Sequence, residues 1–272
     1  MASLAVIVNA DDLGISQEVN EATFDLMSKG RISSATILAN APATNEAARR
    51  ASKFPRCSVG VHLNVTQFEP LTGGPGARLL VDERGQMSRA NETARPAPTR
   101  LCAVYQELCA QIERVASLGV RISHVDSHHH VHTRPAFFPV LKEVQRRFHI
   151  RKVRLAKNFY ASDRPCPADL LWKKRAYNWA LRSMYATQTT DAFTELLTYY
   201  HADAATKRSI GRIELMVHPG AAYAAEEIEI LESDWIPRMG LPVQLISYTE
   251  LSPDRHISAR RTLPSRDMQP CG

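Results

Sequence analysis

The sequence predicts an α/β protein built on about seven parallel strands. Short apolar runs of strand length alternate with helix-period segments along most of the chain. No internal repeat and no Pro-, Gly- or Ser-rich linker marks a second domain, and 272 residues suffice to bury one sizeable core. Four polar clusters begin where predicted strands end, as expected where parallel strands deliver functional groups to one edge.

Leu4–Val8 reads as the first strand, and a helix follows over Ser16–Ser28, with Ser16 as N-cap and Gly30 as its stop. Ile32–Leu38 is the second strand, Thr44–Lys53 the second helix and Cys57–Leu63 the third strand. Thr66–Pro98 breaks the rhythm: it holds Pro70, Pro75, Pro96 and Pro98, four glycines and no sustained period. A loop this long inside a compact domain is usually functional, so 66–98 is expected to be an inserted loop or lid over the site.

The alternation resumes with a helix over Thr99–Leu118 and a strand over Val120–Val125. Pro135 opens a helix that runs to Phe148, and Lys152–Leu155 reads as the next strand. Helix is expected over Ala168–Met184 and within Asp191–Ser209, followed by strands at Ile213–Val217 and Val243–Ile246. The expected organisation is one domain over 1–252 and a poorly ordered basic tail over 253–272.

The composition is that of an ordinary globular protein, 44% hydrophobic and 23% charged. No apolar run approaches the ~20 residues of a membrane span, so no stable membrane insertion is expected. Leu4–Val8 is too short for a signal h-region, so a cytoplasmic protein is expected. Five cysteines (Cys57, Cys102, Cys109, Cys166 and Cys271) include no Cys-x-x-Cys pair, which argues against a disulfide framework and a thiolate metal site. Cys102 and Cys109, seven apart on a helix, should both face the core. The net charge of +6 is spread over helix faces and the tail arginines Arg255, Arg260, Arg261 and Arg266. It reads as a solvated surface, with no nucleic-acid partner.

The four clusters are Asn9-Ala10-Asp11-Asp12, Gly60-Val61-His62-Leu63, the run His124–His132, and Met216-Val217-His218-Pro219-Gly220. Adjacent carboxylates at a strand end point in different directions, so one can bind a metal while the other faces a water. Five of the nine residues in His124–His132 are histidine, and imidazoles with a nearby carboxylate suit first-row divalent ions. Other imidazoles of the run could support the ligands or contact substrate. Pro219 and Gly220 force a sharp exit that fixes His218 at the rim, where it suits acid–base work. Arg154 and Glu214 are candidates for substrate or supporting contacts.

The stretches V-N-A-D-D-L-G, G-V-H-L-N-V-T, H-V-D-S-H-H-H-V-H and E-L-M-V-H-P-G resemble, in this order and spacing, the YdjC-like carbohydrate deacetylase family. That family includes chito-oligosaccharide deacetylases and a hopanoid-associated branch. The resemblance runs from Leu4 to about Glu250. It implies a distorted, incomplete TIM-type (β/α) barrel and removal of an N-acetyl group from an amino sugar. It also implies a divalent metal held by Asp12, His62 and His128, with Asp11 as general base and His218 as general acid. Leu13 stands where the family usually has an aromatic. The ion implied is Mg2+ or Zn2+, with Co2+ or Ni2+ also compatible with the ligands, the substrate is an N-acetylated sugar, and homodimerisation is implied as well. Two rival readings remain: another metal hydrolase, such as a phosphoesterase, and a non-enzymatic basic binding protein.

Overall fold

The computed structural model describes residues 3–207, 210–239 and 242–251. The expected basic tail, Cys271 included, lies outside the described residues. The chain opens with β1 (Leu4–Leu13), α1 (Gln17–Ser28), β2 (Ser34–Ile37), α2 (Thr44–Ala51) and β3 (Ser58–Leu63). Two short helices, α3 (Gly74–Arg78) and α4 (Ala90–Thr93), precede α5 (Pro98–Ser117) and β4 (Ile122–Ser127). After two 3-10 segments come α6 (Phe138–Phe148), α7 (Ala168–Ser183), β5 (Ala192–Glu195), α8 (Leu196–His201) and α9 (Ala204–Lys207). The remaining elements are β6 (Arg212–Val217), α10 (Ala225–Glu232), α11 (Trp235–Arg238) and β7 (Val243–Leu245), then a 3-10 turn at Tyr248–Glu250.

All the described ladders are parallel, in the order β4-β3-β2-β1-β6-β5, with β7 paired to the start of β1. The expected strand Lys152–Leu155 is not regular. It makes one bridge to β4 (Val125 to Val153) and another to Gln188 (from Lys152), spanning the gap between β4 and β5 without a ladder. The main-chain amide of Asn158 then reaches the Phe193 carbonyl on β5. The sheet thus curls toward a ring that is closed only by irregular backbone, a distorted barrel.

Helix expected within Asp191–Ser209 is present as α8 and α9, but β5, which was not anticipated, precedes them. Pairing with Ile213–Met216 decides this segment, and local propensity yields to it. Among the described residues seven strands remain, with β5 in place of Lys152–Leu155.

Period-2 alternation sorts the strand residues. Leu4, Val6, Val8 and Ala10 of β1, Ala35 and Ile37 of β2, and Val59, Val61 and Leu63 of β3 join the large apolar core beneath the helices. The other parity faces the ring interior. There Ile7 packs with Ile246, Tyr248 and Leu251 in a separate small cluster. Tyr248 seals this end: its amide bonds the Ser58 hydroxyl, its ring stacks on His124 at 3.7 Å, and its hydroxyl donates to Glu214. A Cβ at Gly60 would fall 2.6 Å from the His124 ring. Only glycine leaves room for that stack.

Ser16 caps α1 as expected, accepting from the Val19 amide, and Gly30 takes φ +68 after its end. The stretch 66–98 is packed against the body of the protein. Asn91 donates to the Val65 and Leu80 carbonyls, and Glu107 of α5 accepts from Leu71 and Thr72. Cys57, Cys109 and Cys166 are free thiols. Cys109 is buried, whereas Cys102 is only half-buried, at the edge of the face it was expected to share.

Candidate active site at the carboxyl edge of the strands

Asp11 and Asp12 end the regular part of β1, where the register with β2 shifts between Ala10 and Leu13. Asp12 has φ +62, the left-handed region that aspartate tolerates better than most residues. The irregularity changes what adjacency would give in a regular strand. Both carboxylates approach one imidazole, with His62 Nε2 lying 3.3 Å from Asp12 Oδ1 and 3.9 Å from Asp11 Oδ2.

His128, the first residue after β4, brings Nδ1 to 2.8 Å from the same Asp12 oxygen. Asp12, His62 and His128 thus converge from three elements, with their ligand atoms within 4.8 Å of one another. Asp12 Oδ1 is buried and has no hydrogen bond of acceptable geometry. An orphaned anionic oxygen facing two imidazole nitrogens is the arrangement a divalent cation would complete, because bonds near 2 Å put neighbouring ligand atoms about 3 Å apart.

Each imidazole is also held from behind. His62 Nδ1 lies 2.7 Å from Asp126 Oδ1, and His128 Nε2 lies 2.8 Å from Gln67 Oε1. These contacts leave His62 Nε2 and His128 Nδ1 turned toward Asp12, with a carboxylate behind one imidazole and an amide oxygen behind the other, the kind of support common to metal sites. Burial works against charge on His62, yet Asp126, Asp11 and Asp12 outweigh it and push its pKa up to about 10. Burial likewise opposes charge on Asp12, but the adjacent His128 and His62 imidazoles hold its carboxyl well below the usual range. The pocket strongly favours positive charge between these groups.

A second set, Asp11, His62 and Asp126, is similarly close, but its carboxylates already have a cation. Arg154, fully buried, grips both Asp11 oxygens at 2.6 Å, Asp126 Oδ2 at 2.6 Å and Glu214 Oε1 at 2.8 Å. Burial alone would raise the Asp11 pKa, but the Arg154 guanidinium overrides it and keeps the carboxyl well below the ordinary range. Among the described residues the site therefore suits one added cation. Burial also removes Arg154 and Glu214 from any contact with substrate. They support Asp11 instead.

His218 leaves β6 through His-Pro-Gly. Gly220 has φ +81, and a Cβ there would meet the Val19 backbone at 2.9 Å, so the turn seats tightly on α1. Glu227 accepts from the His218 amide at 2.7 Å, and its other oxygen lies 3.9 Å from Nδ1. Burial opposes the imidazolium, but Glu227, Asp11 and Asp12 together raise the His218 pKa. Exposed Tyr223 stands beside it, with ring centroids 5.6 Å apart.

The rest of the histidine run divides by environment. His129 bonds the Thr66 hydroxyl, and His130 sits edge-on to Phe193 with its Nδ1 buried and unpartnered. His124 and His132 are interior groups that burial keeps neutral: His124 stacks on Tyr248, and His132 bonds Ser127 and the Arg154 carbonyl. Asp126, Gln67 and Glu227 have roles that sequence reasoning did not assign. Asp126 lay in the quoted run, two residues before His128. Gln67 and Glu227 carried no pattern that set them apart.

Fold and site together define a β/α barrel protein with one carboxylate–imidazole centre at the carboxyl ends of its strands. Residues 5–240 match the family model described as YdjC-like protein. The chain belongs to the YdjC-like family. It is similar to proteins named carbohydrate deacetylase from Geobacillus stearothermophilus (42% identical over 153 residues, 56% of this chain and 60% of that one). A carbohydrate deacetylase from Vibrio campbellii is 39% identical over 147 residues, 54% of this chain and 57% of that one. The matched stretch thus spans less than two thirds of these relatives. The fold is shared with a crystal structure from Enterococcus faecalis V583 of a protein named for cellobiose-phosphate cleavage. The TM-score is 0.73 at 24% identity, covering 92% of this chain and all of that one.

Proposed function

We propose that the chain is a hydrolase that removes the acetyl group from an N-acetylated amino sugar, borne on an oligosaccharide or glycolipid, with one divalent metal ion. The observation that carries this reading is the meeting of Asp12, His62 and His128 around an orphaned oxygen, with Asp11 beside them. The names of the relatives supply the substrate class. Two imidazoles and a carboxylate suit zinc, cobalt or nickel better than magnesium.

When bound at these three residues, the ion supplies Lewis-acid polarisation of the acetamide carbonyl and a water more acidic than bulk. Asp11, kept ionised by Arg154, accepts the proton of the attacking water as its oxygen bonds to the carbonyl carbon. His218, with its imidazolium favoured by Glu227, gives a proton to the amide nitrogen as the carbon–nitrogen bond breaks. The products are acetate and the free sugar amine. Without that proton the nitrogen would have to leave as an amide anion, which is why an acid is needed here.

The test is acetate release from N-acetylglucosamine oligomers and N-acetylated glycolipids, screened with several divalent ions. Release from none of them would overturn the proposal. Asp12→Asn, His62→Ala and His128→Ala should each lower bound metal from one equivalent to near none in elemental analysis of the folded protein. Undiminished metal in any of them removes that residue from the ligand set.

The pH dependence follows from His218. A raised pKa keeps the acid form present at higher pH, so kcat/KM falls on the alkaline side as the imidazolium is lost. Glu227→Gln withdraws the neighbouring charge that favours this form. The alkaline limb should therefore move to lower pH, measured on kcat/KM profiles of the metal-loaded enzyme, while an unmoved limb would exclude His218 as the acid.

A further inference from the structure

α7 is an unusual helix for the outside of a barrel. Of its sixteen residues only Asn178 and Leu181 are buried. Its inner side is fixed by polar contacts: Asn178 exchanges hydrogen bonds with the Ala156 backbone, and the Tyr177 hydroxyl donates to the His132 carbonyl. Its outer side carries two tryptophans seven residues apart, Trp172 and Trp179, 68% and 71% exposed. With Arg175 between them they follow helical spacing and form one stripe.

The charge on α7 is one-sided, and beside the stripe it comes from Lys173 and Arg175, because Lys174 donates to the Tyr160 hydroxyl and Arg182 to the Thr189 hydroxyl and the Thr190 carbonyl. α7 holds Lys173, Lys174, Arg175 and Arg182 against Asp169 as its one acid. Asp169 is already paired with Lys173 at 3.2 Å, and the Arg175 guanidinium lies over the Trp172 ring at 5.4 Å. A second copy docked on the same stripe through a twofold axis would set these cations against their own counterparts. An anionic surface instead complements them, and indole rings favour the headgroup layer of a bilayer, where an apolar body and a polar N–H are both satisfied. No described helix is long and apolar enough to cross a membrane. A helix about 24 Å long can nevertheless lie along one.

We infer that α7 is a membrane-docking element that seats this protein on anionic phospholipid through Trp172 and Trp179, with its basic side chains supplying charge attraction. The stripe belongs to the helix that also braces the histidine run through Tyr177. Docking would therefore hold the catalytic barrel at the lipid surface.

The experiment is co-sedimentation of the full chain with phosphatidylcholine vesicles with and without phosphatidylglycerol, followed by tryptophan emission. The expected result is binding to the anionic vesicles that weakens with salt and a blue-shifted emission. W172A/W179A should lower partitioning by about tenfold or more with an unchanged far-UV circular dichroism spectrum. Several results overturn the inference: no binding to anionic vesicles, equal binding to neutral ones, or undiminished binding by W172A/W179A. A dimer in light scattering that the double substitution dissolves would also overturn it, since the stripe would then join copies of the chain. Partitioning is read without turnover, so its failure is distinct from failure of the deacetylase reading.

Discussion

Asp11→Asn should cut acetate release by ~10²–10⁴-fold, the usual contribution of a positioned general base, while the protein keeps its metal. Asparagine preserves the shape of the side chain and an oxygen for the Arg154 fork, but it cannot accept the proton. Arg154 retains Asp126 and Glu214 as anionic partners, so the variant should fold. Single-turnover rates and elemental analysis on the same sample test this. A loss of metal together with activity would make Asp11 a ligand, and full activity would remove it from the mechanism.

Arg154→Met should be the most destabilising single change in the site. It leaves the buried carboxylates of Asp11, Asp126 and Glu214 without the guanidinium they share. Breaking a buried ion pair by deleting one partner costs about 3–5 kcal/mol, which for a protein of this size lowers Tm by something of the order of 10 °C. Thermal unfolding of the metal-free protein at neutral pH measures it. The loss should shrink as pH falls. Burial pushes Glu214 up to about 7 against the pull of Arg154, and a carboxyl that is already protonated in the folded state has less need of the arginine. An equal loss at pH 5 and pH 7 would contradict this.

Much of the site could be read from the chain because it follows one rule. Asp11, Asp12, His62, His128 and His218 all stand where an apolar run stops, and the carboxyl ends of parallel strands share an edge. The supporting layer was legible only in part: Arg154 and Glu214 were candidates for supporting contacts without named partners, and Asp126 was passed over. Asp126 and Glu214 lie inside strands, on the parity that an open half-buried sheet would turn to water. Here the curl of the sheet turns that face inward. Arg154 could be assigned only once Lys152–Leu155 was seen to span the gap between β4 and β5, because its partners are scattered from residue 11 to residue 214. The histidine run misled in the other direction. His124 and His132 sit among the ligand candidates in the sequence, yet ring stacking and a backbone hydrogen bond account for them.

The sealed lower end of the ring bears on how the chain assembles. The guanidinium of Arg154 meets acids from β1, β4 and β6, and Tyr248, near the close of the described chain, covers them from below. A nascent chain lacking residues 214–248 would hold a solvated arginine and an unstoppered lumen, so native protection of the early strands must await the late ones. Contacts of such long sequence separation favour slow, all-or-none closure over stepwise growth from the N-terminus. Truncation before Tyr248 should accordingly yield a loosened chain across its whole length, with rapid amide exchange even in β1.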